Sequence, residues 1–326
     1  MHKIEQLTYK MKSSKPLEII QWLLVVAAYG YLTYRLVIYD DWGSLAEHFR
    51  GAGTLQYICL AGAVVLFPLN ILFESMKWRY LMSDIEKMSL AEAQRQTYFG
   101  VIGAFLTPGR LGDFPARVTM MQNKSRWAEA VMLGFIGTLA LGFVQVLLGL
   151  PSFISLIDRV GGMDWVEWFC VAIFAIQIIL IIIYPNLARK WAEKTSEGKW
   201  HDTLVAIGNF SHKRFAVTIF YSMLRYAVYC FQLWLVLIFC GIELSAIEAL
   251  VAIPAYYLLV TVTPSVPVAD AAIRGSWSVV IFSVFTDDIA QIAIAAILLW
   301  LLNTILPMIV GTFLRKNGHN IEEKSK

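Results

Sequence analysis

Two acid–base pairs with the same spacing occur in the two halves of the sequence. Asp113 is followed four residues later by Arg117, and Asp270 is followed four residues later by Arg274. This spacing places acid and base on one face of a helix with the acid N-terminal, the favoured order for an ion pair. Because ionisable side chains are seldom retained in an apolar environment without use, we interpret both pairs as parts of a polar binding site. The simpler alternative is that the acid and the base of each pair only neutralise each other's charge.

The first pair follows a helix-start signal. Thr107 is predicted to be the N-cap and Pro108 the first helical residue, where the missing N–H costs nothing. A helix N-terminus carries partial positive charge and binds anions, and Arg110 adds a full positive charge beside it. Gly109 and Gly112 are predicted to act as hinge residues with this proline.

The second pair follows a similar signal, and two prolines compete for the helix start. Either Thr263-Pro264 or Val266-Pro267 is predicted to begin the returning helix. The second ion pair is expected to be the more secure one, because Pro115 disfavours helical geometry next to the first pair.

Arg225 is a third candidate because it lies near the middle of an apolar run. An arginine there cannot easily reach the membrane surface, so it needs a partner. We expect that partner to be a carboxylate such as Asp113 or Asp270, or an anionic substrate. Asn70 and Glu74, one turn apart at the end of an earlier run, are further candidate binding residues.

The composition indicates that membrane-spanning helices carry these residues. The chain has 326 residues, of which 58% are hydrophobic, and its mean hydropathy is +0.61. A membrane crossing needs about 20 apolar residues. The sequence therefore predicts an all-α polytopic membrane protein with about six spanning helices, at 17–38, 55–73, 128–150, 166–184, 215–240 and 289–312.

Positive charges predict the orientation of these helices. Of the 27 Lys and Arg residues, 22 fall on one side of the predicted topology, three on the other and two within spans. The positive side is cytoplasmic, which places both termini there. The two regions broken by Thr-Pro, 97–122 and 247–285, must then return to the side they came from. We predict two re-entrant hairpins, although two full crossings at 247–285 satisfy the same count.

The two hairpins enter from opposite sides, which is typical of an inverted-topology repeat, where broken helices line a central binding site. The whole chain, 1–326, is predicted to be a single integral membrane domain. Its parts are a basic cytoplasmic N-terminus (1–16), a first repeat (55–150), a basic cytoplasmic loop (185–214), a second repeat (215–312) and a cytoplasmic tail (313–326).

The sequence shows no common catalytic or cofactor motif. P-loop, G-x-G-x-x-G, C-x-x-C and H-E-x-x-H patterns do not occur, and the five histidines fall in polar connections. The four cysteines are interpreted as buried thiols. We therefore expect no metal site, no cofactor, no nucleic-acid binding and no enzymatic activity.

Three stretches resemble a known family. "NILFESMKWRYLM", "YFGVIGAFLTPGRLGDFPARV" and "PAYYLLVTVTPSVPVADAAIR" resemble the lysylphosphatidylglycerol synthase transmembrane, or flippase-like, family. "TPGRLGD" is close to the T-P-G-R-x-G-E core of that family, with aspartate in place of glutamate. The second copy reads "PSVPVAD" where the family usually has P-G-x-G-x-x-E. The resemblance covers residues 15 to 312.

The resemblance implies a lipid translocator of the bacterial cytoplasmic (inner) membrane, here expected as a stand-alone member without the synthase domain. A polar or charged head group would be held by the candidate residues Asn70, Glu74, Thr107, Arg110, Asp113, Arg117, Arg225, Thr263, Asp270 and Arg274. Two alternatives stay open: a membrane-embedded transferase acting on a lipid-linked substrate, and an accessory subunit without transport. The expected partner is a membrane lipid, with a second copy or a separate lipid-modifying enzyme as further partners.

Overall fold

Every regular element in the described part of the chain is helical, which confirms the all-α class. The structure is a computed structural model that describes residues 26, 29–38, 42–107, 110–160, 164–264 and 267–314. We number the helices α1 (29–37), α2 (Trp42–Gly51), α3 (Thr54–Leu81), α4 (Leu90–Phe105), α5 (Asp113–Thr119), α6 (Trp127–Ile154), α7 (Ile157–Val160), α8 (Asp164–Lys194), α9 (Lys199–Asn209), α10 (His212–Phe239), α11 (Ala246–Val262), α12 (Pro267–Phe282) and α13 (Ile289–Leu314).

Five of these helices are long and apolar enough to cross a membrane: α3, α6, α8, α10 and α13. They coincide with five of the six predicted runs. Half of the remaining run, 17–38, lies outside the described residues, as do 1–16 and most of 313–326. The chain is therefore a multi-pass membrane protein by the length and composition of its helices.

Helix α3 is longer than the sequence predicted. The predicted run ended at residue 73 because charged residues follow it, yet the helix continues to Leu81. Glu74 and Lys77, both within this extension, are buried and paired with each other at 2.8 Å. Mutual neutralisation allows charged residues to continue a buried helix, so an apolar count alone ends the helix too early.

The first broken region consists of α4 and the short α5. Ser89 and Glu92 form a capping box, which starts α4 at Leu90, before the predicted apolar region. Thr107 does not cap α5, because that helix begins at Asp113 with Gly112 as its N-cap. Pro108 and Gly109 lie outside the described residues, so their predicted roles stay predictions.

The second broken region repeats this plan with longer arms. Ser245 and Glu248 form a second capping box at the start of α11. Thr263 is the C-cap of that helix, and the next helix begins at Pro267, so the later of the two prolines starts it. Pro264 lies exposed between the helices. The arms have 17 and 16 residues, which is fewer than the about 20 residues of a full crossing.

Each broken region packs on a long helix from elsewhere in the chain: α11 on α6, and α4 on α13. The backbone of α11 at Pro254 approaches Gly149 of α6 so closely that a Cβ there would clash with it. The backbone of α4 at Tyr98 approaches Gly311 of α13 in the same way. Gly149 and Gly311 lie the same number of residues after the first residue of α6 and of α13, respectively. Tyr98 and Pro254 likewise lie the same number of residues after the first residue of α4 and of α11. Each broken region therefore packs on the last long helix of the other predicted repeat.

The connections predicted to be cytoplasmic meet at one end of the bundle. Arg214, at the start of α10, pairs with Asp84, which follows α3. Arg126, just before α6, donates from Nη1 to the carbonyl oxygen of the same Asp84 at 2.6 Å. At the other end, Phe49 of α2 contacts Phe239 at the C-terminal end of α10, with ring centroids 5.7 Å apart. These contacts place the connections before α6, after α3 and before α10 at one end, and the side of the membrane that this end faces stays a prediction.

Candidate functional site

Arg225 has its partners on α3. Its Nη1 donates to Glu74 Oε2 at 2.5 Å, and its Nε donates to Asn70 Oδ1 at 2.9 Å. The expectation of a carboxylate partner is confirmed, but the carboxylate is Glu74 rather than Asp113 or Asp270. The sequence prediction placed Asn70 and Glu74 at a helix end, whereas α3 runs on past both. One side of the helix therefore presents the amide and the carboxylate to one guanidinium.

Glu74 is the centre of this cluster because three cationic groups converge on its two oxygens. Lys77 Nζ lies 2.8 Å from Oε2, which Arg225 also contacts, and Arg117 Nη2 lies 3.0 Å from Oε1. The side chains of Glu74, Lys77 and Arg117 are each at most 5% exposed. Lys77 Nζ also donates to the carbonyl oxygen of Gly137 at 3.3 Å. Buried charges of this kind require mutual pairing, and the contacts supply it.

The first predicted ion pair forms as a two-pronged contact. Arg117 Nε donates to Asp113 Oδ1 at 2.7 Å and Nη2 donates to Oδ2 at 3.1 Å. Pro115 does not prevent this, because it lies in the first turn of α5, where no N–H bond is lost. The guanidinium carbon lies 5.1 Å from the ring centre of Trp78 and 5.2 Å from that of Phe114. Cation–π contacts thus fix the plane of this guanidinium.

The second predicted ion pair also forms, but with a single longer contact. Arg274 Nε donates to Asp270 Oδ2 at 3.2 Å, so the expectation that this pair would be the more secure is wrong. The same oxygen accepts a hydrogen bond from Trp300 Nε1 at 2.9 Å. Thr263 Oγ1 accepts one from Trp277 Nε1 at 2.9 Å. Tryptophans from α12 and α13 therefore hold the second break in place.

The close approach of α4 and α5 depends on three glycines. A Cβ at Gly100 would collide with the Asp113–Arg117 pair, and Gly103 and Gly112 approach each other through their backbones. Thr107 closes the turn between the helices, since its hydroxyl donates to Gly103 O at 2.9 Å and accepts from Gly112 N at 2.7 Å. Gly112 therefore serves close packing, while its predicted hinge motion stays a prediction.

Tyr229 on α10 belongs to the first cluster. Its hydroxyl accepts a hydrogen bond from Arg225 Nη2 at 2.9 Å. Arg110, at the first break, is exposed and has a φ of 59°, a left-handed conformation that is uncommon for a residue other than glycine.

A chain of side-chain amides extends the first cluster to α13. Asn303 Oδ1 accepts from Asn70 Nδ2 at 3.0 Å, and Asn303 Nδ2 donates to Gln232 Oε1 at 2.8 Å. Gln232 in turn donates to Ala63 O at 2.9 Å. Asn303 lies in a π-helical turn, Leu301–Ile305, within α13. Such turns are rare and occur frequently at functional sites.

The structure brings together most of the predicted site residues. Asn70, Glu74, Asp113, Arg117 and Arg225 lie in the first cluster, and Asp270 and Arg274 form the second with Trp300. Thr263 contacts Trp277 instead. Residue patterns missed five members: Lys77, Gln232, Tyr229, Trp300 and Asn303. A detectable signal existed for Lys77, three residues after Glu74, and for Asn303, a polar residue in an apolar span.

The first cluster carries a surplus of positive charge among the described residues. Its carboxylates are Glu74 and Asp113, and its cationic groups are Lys77, Arg117 and Arg225. Guanidinium and ammonium donors in such a setting are suited to bind a phosphate or carboxylate. Among the described residues, no group of three or more His, Cys, Asp or Glu side chains could hold a metal ion.

Comparison with known families gives a match over most of the chain. The family model described as the lysylphosphatidylglycerol synthase TM region matches residues 19–311, which include every predicted site residue. No curated protein matches the chain. The match spans both broken regions and the five long apolar helices, so the chain belongs to the lysylphosphatidylglycerol synthase transmembrane-region family.

Proposed function

We propose that this protein translocates a lipid with a polar or charged head group across the bacterial inner membrane, without chemically altering the lipid. The head group would occupy the space between the two broken regions, while the acyl chains stay in the bilayer. Membership of a family of lipid-related membrane domains supports this proposal.

The observation that carries the proposal is the buried charged cluster at the meeting point of the two halves. It joins Glu74 of the first long helix, Arg117 after the first break and Arg225 of the second half. Charged side chains within the apolar core are costly, and in membrane proteins they mark substrate pathways. A cluster that serves packing alone would be replaceable by apolar residues of similar volume at little cost.

The packing of the hairpins supports alternating access. Each hairpin rests on the last long helix of the other half, through the close contacts at Gly149 and Gly311. In an inverted-repeat transporter, such equivalent contacts would exchange as one hairpin opens and the other closes. We propose this exchange as the transport step. A sequence without a nucleotide-binding motif leaves an ion gradient or a downhill lipid gradient to drive net movement.

Purified protein in liposomes that contain head-group-labelled phospholipids tests the proposal. A membrane-impermeant quencher reports how quickly labelled lipid exchanges between the leaflets. We expect faster exchange with the wild type than with R225A or D270N. R159A is the matched control, because Arg159 is exposed and lies outside both clusters. Conservative R225K separates loss of function from loss of folding.

Two results would lead elsewhere. Equal exchange in all variants and in empty liposomes, across several head groups, would refute translocation of these lipids and favour the accessory role. A new lipid product would favour the transferase.

Cysteines introduced at Arg159 and Lys213 test sidedness: with both termini cytoplasmic, a membrane-impermeant thiol reagent should reach the first from outside the cell and fail to reach the second.

A further inference from the structure

The charge balance of the first cluster indicates which head groups it can accept. Three cationic groups share two carboxylates, so one positive charge has no counterpart among the described residues of the cluster. We infer that the site binds the singly charged anionic phosphate ester of a lipid head group, with Arg117 as the principal donor. This inference rests on the proposed function and specifies its substrate class.

Arg117 has a hydrogen-bond donor that awaits an acceptor. Its Nε and Nη2 are occupied by Asp113 and Glu74, whereas Nη1 is buried and has no hydrogen-bond partner. The residue is only 2% exposed. A buried donor without an acceptor is costly, and a phosphate oxygen supplies the strong, charge-assisted acceptor that a guanidinium prefers. The rings of Trp78 and Phe114 hold the guanidinium plane, so this donor points in a fixed direction.

The cluster is not sealed from its surroundings. The side chains of Asp113 and Arg225 keep 16% and 14% of their surface exposed, whereas that of Lys77 keeps 4%. Arg110, three residues before Asp113 in the chain, is exposed and adds a further positive charge at the first break. A ligand that approaches from this side meets positive charge first. Anionic groups are attracted to such an entrance and cationic groups are repelled.

The same charge balance separates this site from one built for aminoacylated lipids. Phosphatidylglycerol carries one negative charge and would neutralise the surplus. Its lysyl ester carries a net positive charge and would increase it. An unneutralised charge about 10 Å away, at an effective dielectric constant of about 20, changes affinity by about tenfold. The lysyl ester adds two ammonium charges, so we expect phosphatidylglycerol to bind on the order of a hundredfold more tightly than lysyl-phosphatidylglycerol.

Native mass spectrometry of the purified full-length chain measures this preference. The probes are phosphatidylglycerol, phosphatidylcholine, lysyl-phosphatidylglycerol and soluble glycerophosphate. K77M removes the surplus charge and should reduce the preference for phosphatidylglycerol several-fold, whereas K77R should retain it. R117Q should weaken phosphatidylglycerol binding most. K213M, which removes an exposed lysine outside the cluster, is the control and should leave the preference unchanged.

Each outcome either supports or overturns the inference. Equal or tighter binding of lysyl-phosphatidylglycerol overturns it, and so does a K77M preference equal to that of the wild type. Glycerophosphate that competes as well as the lipid would show a site for a free anion and overturn the head-group assignment. Transport without the anionic preference would refute only this inference. The preference without transport would refute only the proposed function.

Discussion

Substitution of Glu74 by glutamine is the sharpest test of the buried cluster. Glutamine keeps the size of the side chain and one acceptor oxygen, but it removes the charge on which Lys77, Arg117 and Arg225 converge. Asp113 would then be the one carboxylate left in the cluster for three cationic groups. The protein should therefore lose stability, even though no cavity forms.

The expected loss follows from the burial of these groups. Glu74 and Lys77 are 5% and 4% exposed at their side chains, so water replaces little of the lost pairing. Removing one member of a buried ion pair typically costs about 3–5 kcal/mol. For a chain of this size, the unfolding temperature should fall by on the order of 10 °C. Adding K77M to E74Q restores the wild-type surplus of one positive charge and should recover part of the loss.

Thermal unfolding in detergent, followed by intrinsic tryptophan fluorescence, measures both effects. E193Q makes the same chemical change at an exposed glutamate and should leave the unfolding temperature within experimental error. Equal unfolding temperatures for E74Q and E193Q would refute the reasoning. A K77M addition that lowers stability further would show that Lys77 does not depend on Glu74 for its neutralisation.

Three further predictions concern the elements around the cluster. G100A should lower the unfolding temperature far more than G142A. A Cβ at Gly100 would collide with the buried Asp113–Arg117 ion pair, whereas one at Gly142 would meet a side-chain amide at 3.4 Å. Equal shifts would contradict the close approach of α4 and α5. N303L should cost about 1–3 kcal/mol in denaturant titrations, because two buried amides lose their partner; no loss would mean that the amide chain does not contribute to stability. A hydrogen bond from the backbone N–H of Ser89 lowers the pKa of Glu92, so this cap should stabilise the fold above the ordinary pKa of 4.5 and stop doing so as pH falls through the lowered value. E92Q should remove that part of the pH dependence of unfolding, and an unchanged pH profile would assign it to other groups.

The sequence determined the features that depend on local spacing. Apolar runs of sufficient length predicted five long helices, because crossing hydrocarbon requires continuous apolar surface whatever the tertiary contacts are. The four-residue spacing predicted the Asp113–Arg117 and Asp270–Arg274 pairs, because helix geometry alone brings such side chains together. The recurrence of Thr-Pro likewise located both helix breaks.

Helix boundaries near charges or turns needed the tertiary structure. A prediction from apolar runs ended α3 before Glu74, because it could not include the cations that Arg117 and Arg225 supply from other helices. The start of α5 at Asp113 needed the tertiary structure for a related reason. Thr107 bonds across the turn to Gly112, and that contact depends on how closely two helices pack.

The composition of the site was likewise decided by tertiary structure. The sequence predicted that Arg225 has a partner, since an arginine in an apolar run must be paired. The choice of Glu74 and Asn70, more than 150 residues away in the chain, depends on the packing of α10 against α3. Tyr229 and Asn303 carry no local signal of the same strength, because tyrosine and asparagine are costly in an apolar span only when they lack a partner. Sequence spacing therefore determined the pairs within each helix, and helix packing decided which residues of α3, α5 and α10 form the first cluster.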